Sequence, residues 1–168
     1  MFQTDNRTTV HRITNAALTA AVYIVLTVVA AGFNLASGAI QVRFSEALTI
    51  LPFLFPEAIP GLTIGCFLAN FLTGCLVPDI IFGTLATFLG AVGTYMLRNS
   101  RITLLGSLPP IISNTVIIPF VLSYAYHIPG SIPFFMLTVG VGELISCGVG
   151  GQILLHVLMP LRKYIHQS

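Results

Sequence analysis

The sequence predicts an all-α integral membrane protein, a six-transmembrane-helix bundle with its N- and C-termini cytoplasmic. Three observations predict it. Only 7% of the 168 residues are charged, against 55% hydrophobic, with a mean hydropathy of +0.94. Soluble domains carry about 25% charged residues, so there is too little charge here to cover a water-facing surface. The apolar residues gather in runs separated by short polar breaks. Threaded as six spans from a cytoplasmic N-terminus, six of the seven Lys and Arg residues fall on the cytoplasmic side, the bias expected of short inner loops.

Residues 1–12 read as a polar cytoplasmic segment, 13–160 as the membrane domain and 161–168 as a cytoplasmic tail carrying Arg162 and Lys163. The first helix is expected from Ile13 to about Leu35; about 20 apolar residues at ~1.5 Å each cross a bilayer core. That run is too long for a signal peptide's apolar core, and no cleavage site is evident. Ser37 to Phe44 is a polar connection. The second run, Ser45 to Phe55, covers only about half the hydrocarbon as an α-helix, so it either extends past Pro52 and Pro56 or stops at mid-depth. A third helix is expected from Glu57 to Leu72, with Pro60 tolerated in its first turn. After a turn at Thr73 to Pro78, Asp79 suits the cap or first turn of a fourth helix reaching Leu97. Arg98-Asn-Ser-Arg101 is a polar break. Pro109-Pro110 opens a fifth helix to Tyr126, with a kink expected at Pro119. After the loop His127 to Ser131, a sixth helix runs from Pro133 to Met159.

Gly61, Gly65 and Ala69 recur at four-residue spacing, and Gly83, Ala86, Gly90 and Thr94, then Gly140, Cys147, Gly148 and Gly151, form similar small-residue faces. Such stripes let helix backbones approach where no hydrophobic effect drives association. Ala16/Ala20 and Ala17/Ala21 repeat the pattern on the first helix.

Several chemistries are excluded. There is no G-x-x-x-x-G-K-[ST] loop, no H-E-x-x-H and no other metal-ligand cluster by spacing. His11, His127, His156 and His166 are dispersed, and Cys66, Cys75 and Cys147 read as small buried hydrophobes. No basic patch offers itself to nucleic acid. What remains is a small polar set: Arg43, Glu46, Asn70, Asp79, Asn114 and Glu143. Arg43 alone breaks the orientation rule, in the first outward loop. Threading puts Glu46, Asn70 and Asp79 in the outer third of the membrane, with Arg43 at the outer rim, and Asn114 and Glu143 nearer mid-depth. A cup of carboxylates and amides of this kind suits a polar small molecule. In the competing reading Arg43 pairs with Glu46 and Asp79 only caps its helix. Glu143 is the sharpest candidate, because the neighbouring helices offer no Lys or Arg at its depth and a carboxylate there needs a proton or a ligand's donors. Tyr23, Tyr124, Tyr126, Phe33 and Phe44 read first as lipid-interface anchors, and second as aromatic faces for a flat ligand.

Val42-Arg-Phe-Ser-Glu-Ala-Leu-Thr-Ile-Leu-Pro52, Pro56-Glu-Ala-Ile-Pro-Gly-Leu-Thr-Ile-Gly-Cys-Phe-Leu-Ala-Asn70 and Asp79-Ile-Ile-Phe-Gly-Thr-Leu-Ala-Thr87 resemble the signature of the QueT family. These are the substrate-binding S components of energy-coupling factor (ECF) importers, associated with queuosine precursors. The resemblance covers about Thr14 to Lys163. It implies a bacterial cell-membrane protein, multi-pass and not an enzyme, that binds queuine or another 7-deazaguanine near the outer face. It implies no cofactor in this chain, with ATP used by two cytoplasmic ATPase partners through a transmembrane coupling subunit. It further implies that Ala16, Ala17, Ala20 and Ala21 contact that subunit. On this reading Glu143 or Glu46 accepts from the base's N1–H and exocyclic amine, Asn70 or Asn114 meets its carbonyl, and Asp79 is available to an aminomethyl cation. The alternatives are an S component for another vitamin, a membrane subunit outside transport, and a membrane-embedded enzyme. The last lacks a nucleophile–base pair.

Overall fold

The computed structural model describes residues 6–33 and 43–161. Most of the Ser37 to Phe44 connection, Arg162, Lys163, His166 and nearly all of the tail lie outside the described residues, as does the Arg7 side chain. Among the described residues every regular element is helical. The order is α1 (Asn6–Gly32), a 3-10 helix (Phe44–Phe53), α2 (Ala58–Leu72), α3 (Val77–Met96), a short 3-10 turn (Thr103–Ser107), α4 (Leu108–Tyr124), α5 (Ile132–Glu143), a π-helical stretch (Leu144–Gly150) and α6 (Gly151–Leu158). Four helical segments are long and apolar enough to cross a membrane: Thr9–Gly32, Val77–Met96, Thr103–Tyr124 and Ile132–Leu158. α2 and the Phe44–Phe53 helix are shorter.

α1 starts well before the expected Ile13, because nothing in Asn6 to Arg12 breaks a helix. The second element differs more. It is not an α-helix but a ten-residue 3-10 helix, with Pro52 inside and nearly every side chain buried. Runs of 3-10 helix beyond three or four residues are uncommon, and at ~2.0 Å per residue this one covers about 20 Å. It packs against α1, α3, α6 and the π stretch, so it runs through the middle of the bundle. The sixth expected helix is continuous in length but not in type, since its centre is the π stretch.

Around this axis the exterior is apolar: Val25, Phe67, Phe82, Ile112, Leu137 and Ile153 all stand exposed. That surface suits lipid and would be untenable in water. Behind it the helices meet through their small residues. A Cβ on Gly61 would lie 2.5 Å from the Ala16 carbonyl oxygen, and one on Gly65 3.0 Å from the Ala20 Cα, so α2 is pressed onto the backbone of α1. A Cβ on Gly90 would lie 2.7 Å from the Pro110 Cα, which sets α3 against α4. Thr94 closes the same contact by donating to the Gly106 carbonyl at 2.7 Å. A Cβ on Gly148, by contrast, meets nothing closer than 3.9 Å.

Gly90→Ala is therefore expected to lower the thermal stability of the detergent-solubilised protein by about 1–3 kcal/mol, the usual range for overpacking. Gly148→Ala is expected to leave it unchanged, and paired melting curves check both.

Candidate functional site

The site is assembled on the Phe44–Phe53 helix. Glu46 projects from its first turn into the bundle and is 1% exposed. The Tyr23 hydroxyl of α1 donates to Glu46 Oε1 at 2.5 Å. Beside it, the Thr27 hydroxyl sits between the Tyr23 carbonyl at 2.9 Å and Ser45 Oγ at 2.8 Å, tying α1 to the 3-10 helix. From the opposite side Glu143, the last residue of α5, accepts from the Cys147 thiol at 3.0 Å. Cys147 lies one turn further on, and its sulfur is also 3.3 Å from the Glu46 carbonyl oxygen and 3.4 Å from Thr49 Oγ1. One ligand atom from each of Glu46, Glu143 and Cys147 falls within 4.8 Å of the others, compact enough to enclose a cation.

In front of this cluster is a cavity of about 10 Å³ lined by Arg43, Asn114, Ile118, Val139 and Glu143, room for about one water molecule. Asn114 comes from α4, and its amide lies against both carboxylates. Yet its Nδ2 makes no hydrogen bond, and neither do Glu46 Oε2 and Ser146 Oγ, all of them buried. Buried polar atoms are almost always satisfied, because each orphan costs about 1–3 kcal/mol. Of these, the unmet Asn114 amide and the Glu46 carboxylate beside it mark a surface shaped for something polar.

Asp79 and Asn70 stand one step away. Asp79 lies in the first turn of α3, as expected. Its Oδ2 accepts from the Tyr126 hydroxyl at 2.9 Å and lies 3.8 Å from Arg43 Nη2. Tyr126 in turn accepts from the Leu76 amide at 3.2 Å. A Cβ on Gly83 would be 3.1 Å from Asn70 Nδ2 and 3.4 Å from Asp79 Oδ1, so these two side chains share the space that Gly83 leaves open. Asn70 otherwise contacts Cys66 Sγ at 3.6 Å.

Of the six candidate residues, Arg43, Asn114 and Glu143 line the cavity, Glu46 backs onto it, and Asp79 and Asn70 form an adjoining group joined to it through Arg43. Three readings are corrected. The ion pair of Arg43 is with Asp79 and not Glu46: Arg43 precedes the 3-10 helix in extended backbone, φ −100° and ψ 101°, while Glu46 is occupied by Tyr23. Glu143 does have a cation nearby, because the long Arg43 side chain reaches inward from the loop to the same cavity. Tyr23 is a buried partner of Glu46, not a lipid anchor. Cys147 belongs to the cluster as well, and its spacing of four residues from Glu143 was the available signal. Tyr124 and Phe33 are exposed, as lipid anchors should be.

The α1 alanines divide into two pairs. Ala16 and Ala20 back onto Gly61 and Gly65, whereas Ala17 and Ala21 face outward. A groove of about 650 Å³ runs between α1 and α2, lined by Ala17, Ala21, Ile64 and Leu68 and by the ion pair Arg12–Glu57 at 2.8 Å.

Among known proteins, the family profile described as QueT transporter matches residues 13–160. The queuosine precursor transporter QueT of Lactococcus lactis subsp. cremoris (strain MG1363) is 39% identical over 75 residues, a stretch covering 45% of this chain and 44% of that protein. The chain thus aligns with less than half the length of that relative. No solved structure matches. A family of transporters accords with a multi-pass membrane protein that is not an enzyme, and since the profile spans nearly the whole membrane domain, the chain belongs to the QueT transporter family.

Proposed function

We propose that this protein is the substrate-capture subunit of an ECF-type importer in a bacterial plasma membrane. It takes up a queuosine precursor, a 7-deazaguanine base such as queuine, from the outer face. The observation that carries the reading is the set of buried polar atoms without partners, Glu46 Oε2 and Asn114 Nδ2, at a cavity lined by Arg43, Asn114 and Glu143. A guanine-like edge presents an N1–H and an exocyclic amine, two donors that one carboxylate accepts together, next to a carbonyl that needs a donor. Glu143 supplies the carboxylate and the Asn114 amide supplies the donor. Arg43, held by Asp79, balances the charge at the outer rim, and Asp79 and Asn70 serve as supports. Because the cavity has room for only about one water, a base enters by spreading the helices that line it.

Transport follows from partners in this reading. Six spans with both termini cytoplasmic, α2 and the Phe44–Phe53 helix included, leave Arg43 as the one outward basic residue. The outward-facing Ala17 and Ala21 present a flat strip on α1 against which a coupling subunit's helix can lie closely. Two cytoplasmic ATPases bound to that subunit use the ATP, and this chain contributes specificity.

Four outcomes test the proposal. Calorimetric titration of the purified chain is expected to give tight binding of 7-deazaguanines and none of riboflavin or thiamine; binding of another vitamin alone would reassign the substrate. Glu143→Gln is expected to weaken deazaguanine binding about 10- to 100-fold, the worth of a charge-assisted hydrogen bond. Ala17→Trp with Ala21→Trp is expected to abolish co-purification with the coupling subunit and ATPases while ligand affinity is kept, and retained assembly would remove the strip from the interface. A green fluorescent protein fusion at either terminus should fluoresce, as a cytoplasmic end requires.

A further inference from the structure

Among the described residues the buried charges do not balance. Of the four acidic residues described, Glu57 is paired with Arg12 at the surface. Glu46, Asp79 and Glu143 are all buried, and Arg43 is the one basic residue that lines the cavity. That guanidinium is 3.8 Å from Asp79, which also holds the Tyr126 hydroxyl. Glu46 and Glu143 are left facing each other within 4.8 Å, with a phenol and a thiol as their hydrogen-bond donors. Two carboxylates this close, inside protein surrounded by lipid, share a proton or take a cation between them. Two buried polar atoms here lack hydrogen-bond partners: Glu46 Oε2, and Nδ2 of Asn114, which is 3% exposed.

The chemistry of these groups is informative. Asn114 lies near both carboxylates, so the polar wall offers two acceptors and a donor: Glu46, Glu143 and the Asn114 amide. A 7-deazaguanine with an amine on its 7-substituent presents the complement along one side: an ammonium, the ring carbonyl beside it, then N1–H. We propose that Glu46 is an ammonium-binding subsite, so that the protein selects deazaguanines carrying a protonated amine over those with a neutral 7-substituent. This rests on the substrate class proposed above and assigns the specificity within it. It also moves the amine away from Asp79, whose charge is already offset by Arg43 at 3.8 Å. A nitrile in place of the aminomethyl group would set its lone pair against Glu46 Oε2, acceptor facing acceptor.

The test compares 7-aminomethyl-7-deazaguanine with 7-cyano-7-deazaguanine by calorimetry on the full-length protein in nanodiscs. The amine is expected to bind at least about tenfold tighter, the effect of gaining one charge-assisted hydrogen bond at a buried anion. In E46Q that ratio is expected to fall towards one, through loss of amine affinity. If E46Q does not fold, the ratio in the unaltered protein still decides. Equal or tighter binding of the cyano base would overturn the ammonium subsite and leave the proposed substrate class standing. No binding of any deazaguanine would overturn both. An unchanged ratio in a folded E46Q would move the subsite off Glu46.

Discussion

Glu46 has to be kept away from lipid with its hydrogen bonds in place, and much of the bundle is arranged to do so. A carboxylate in hydrocarbon costs several kcal/mol unless protein groups replace its water. Here the residue rides on a helix that runs through the interior instead of along the lipid boundary, flanked by α1, α3 and the last span. Tyr23 reaches it from α1 only because Gly61 and Gly65 let α2 press α1 inward. Cys147 and Glu143 close the other side. The small-residue stripes therefore set the depth and walls of the polar centre as well as joining helices.

The features legible in the sequence were those that depend on one segment at a time. Apolar runs placed the helices, Pro109-Pro110 opened α4 where expected, and Asp79 fell in a first turn. The polar residues singled out for their cost in lipid all proved buried, apart from Arg43, whose long side chain is only slightly exposed. What one dimension could not carry was pairing. Arg43 and Glu46 are three residues apart and look like partners, yet extended backbone at Arg43 sends its guanidinium towards α3. Tyr23 and Glu46 are 23 residues apart and meet at 2.5 Å. The 3-10 character of Phe44–Phe53 was equally hidden, because its stability comes from burial among four neighbours and not from residue preference.

α1 serves two surfaces. Its Tyr23 holds the buried carboxylate, and Ala17 and Ala21, two turns or less towards the N-terminus, face out beside the α1–α2 groove. A rigid helix thus connects the polar centre with the strip proposed for the coupling subunit. The groove's polar lip, Arg12 with Glu57, lies towards the N-terminal ends of α1 and α2.

The π stretch at Leu144–Gly150 divides the last span into two half-helices whose azimuths are set independently. Ile132–Glu143 turns Glu143 to the cavity, while Gly151–Leu158 turns Leu155 into the core, where it is fully buried. An α-helix advances about 100° per residue, so losing one residue from the wide turn would swing one half around the axis relative to the other. Either the carboxylate or the leucine would then face lipid. Hydropathy would not register the change, since length and composition stay almost the same. For this span the number of residues between Glu143 and Leu155 is as much a part of the candidate site as their identities.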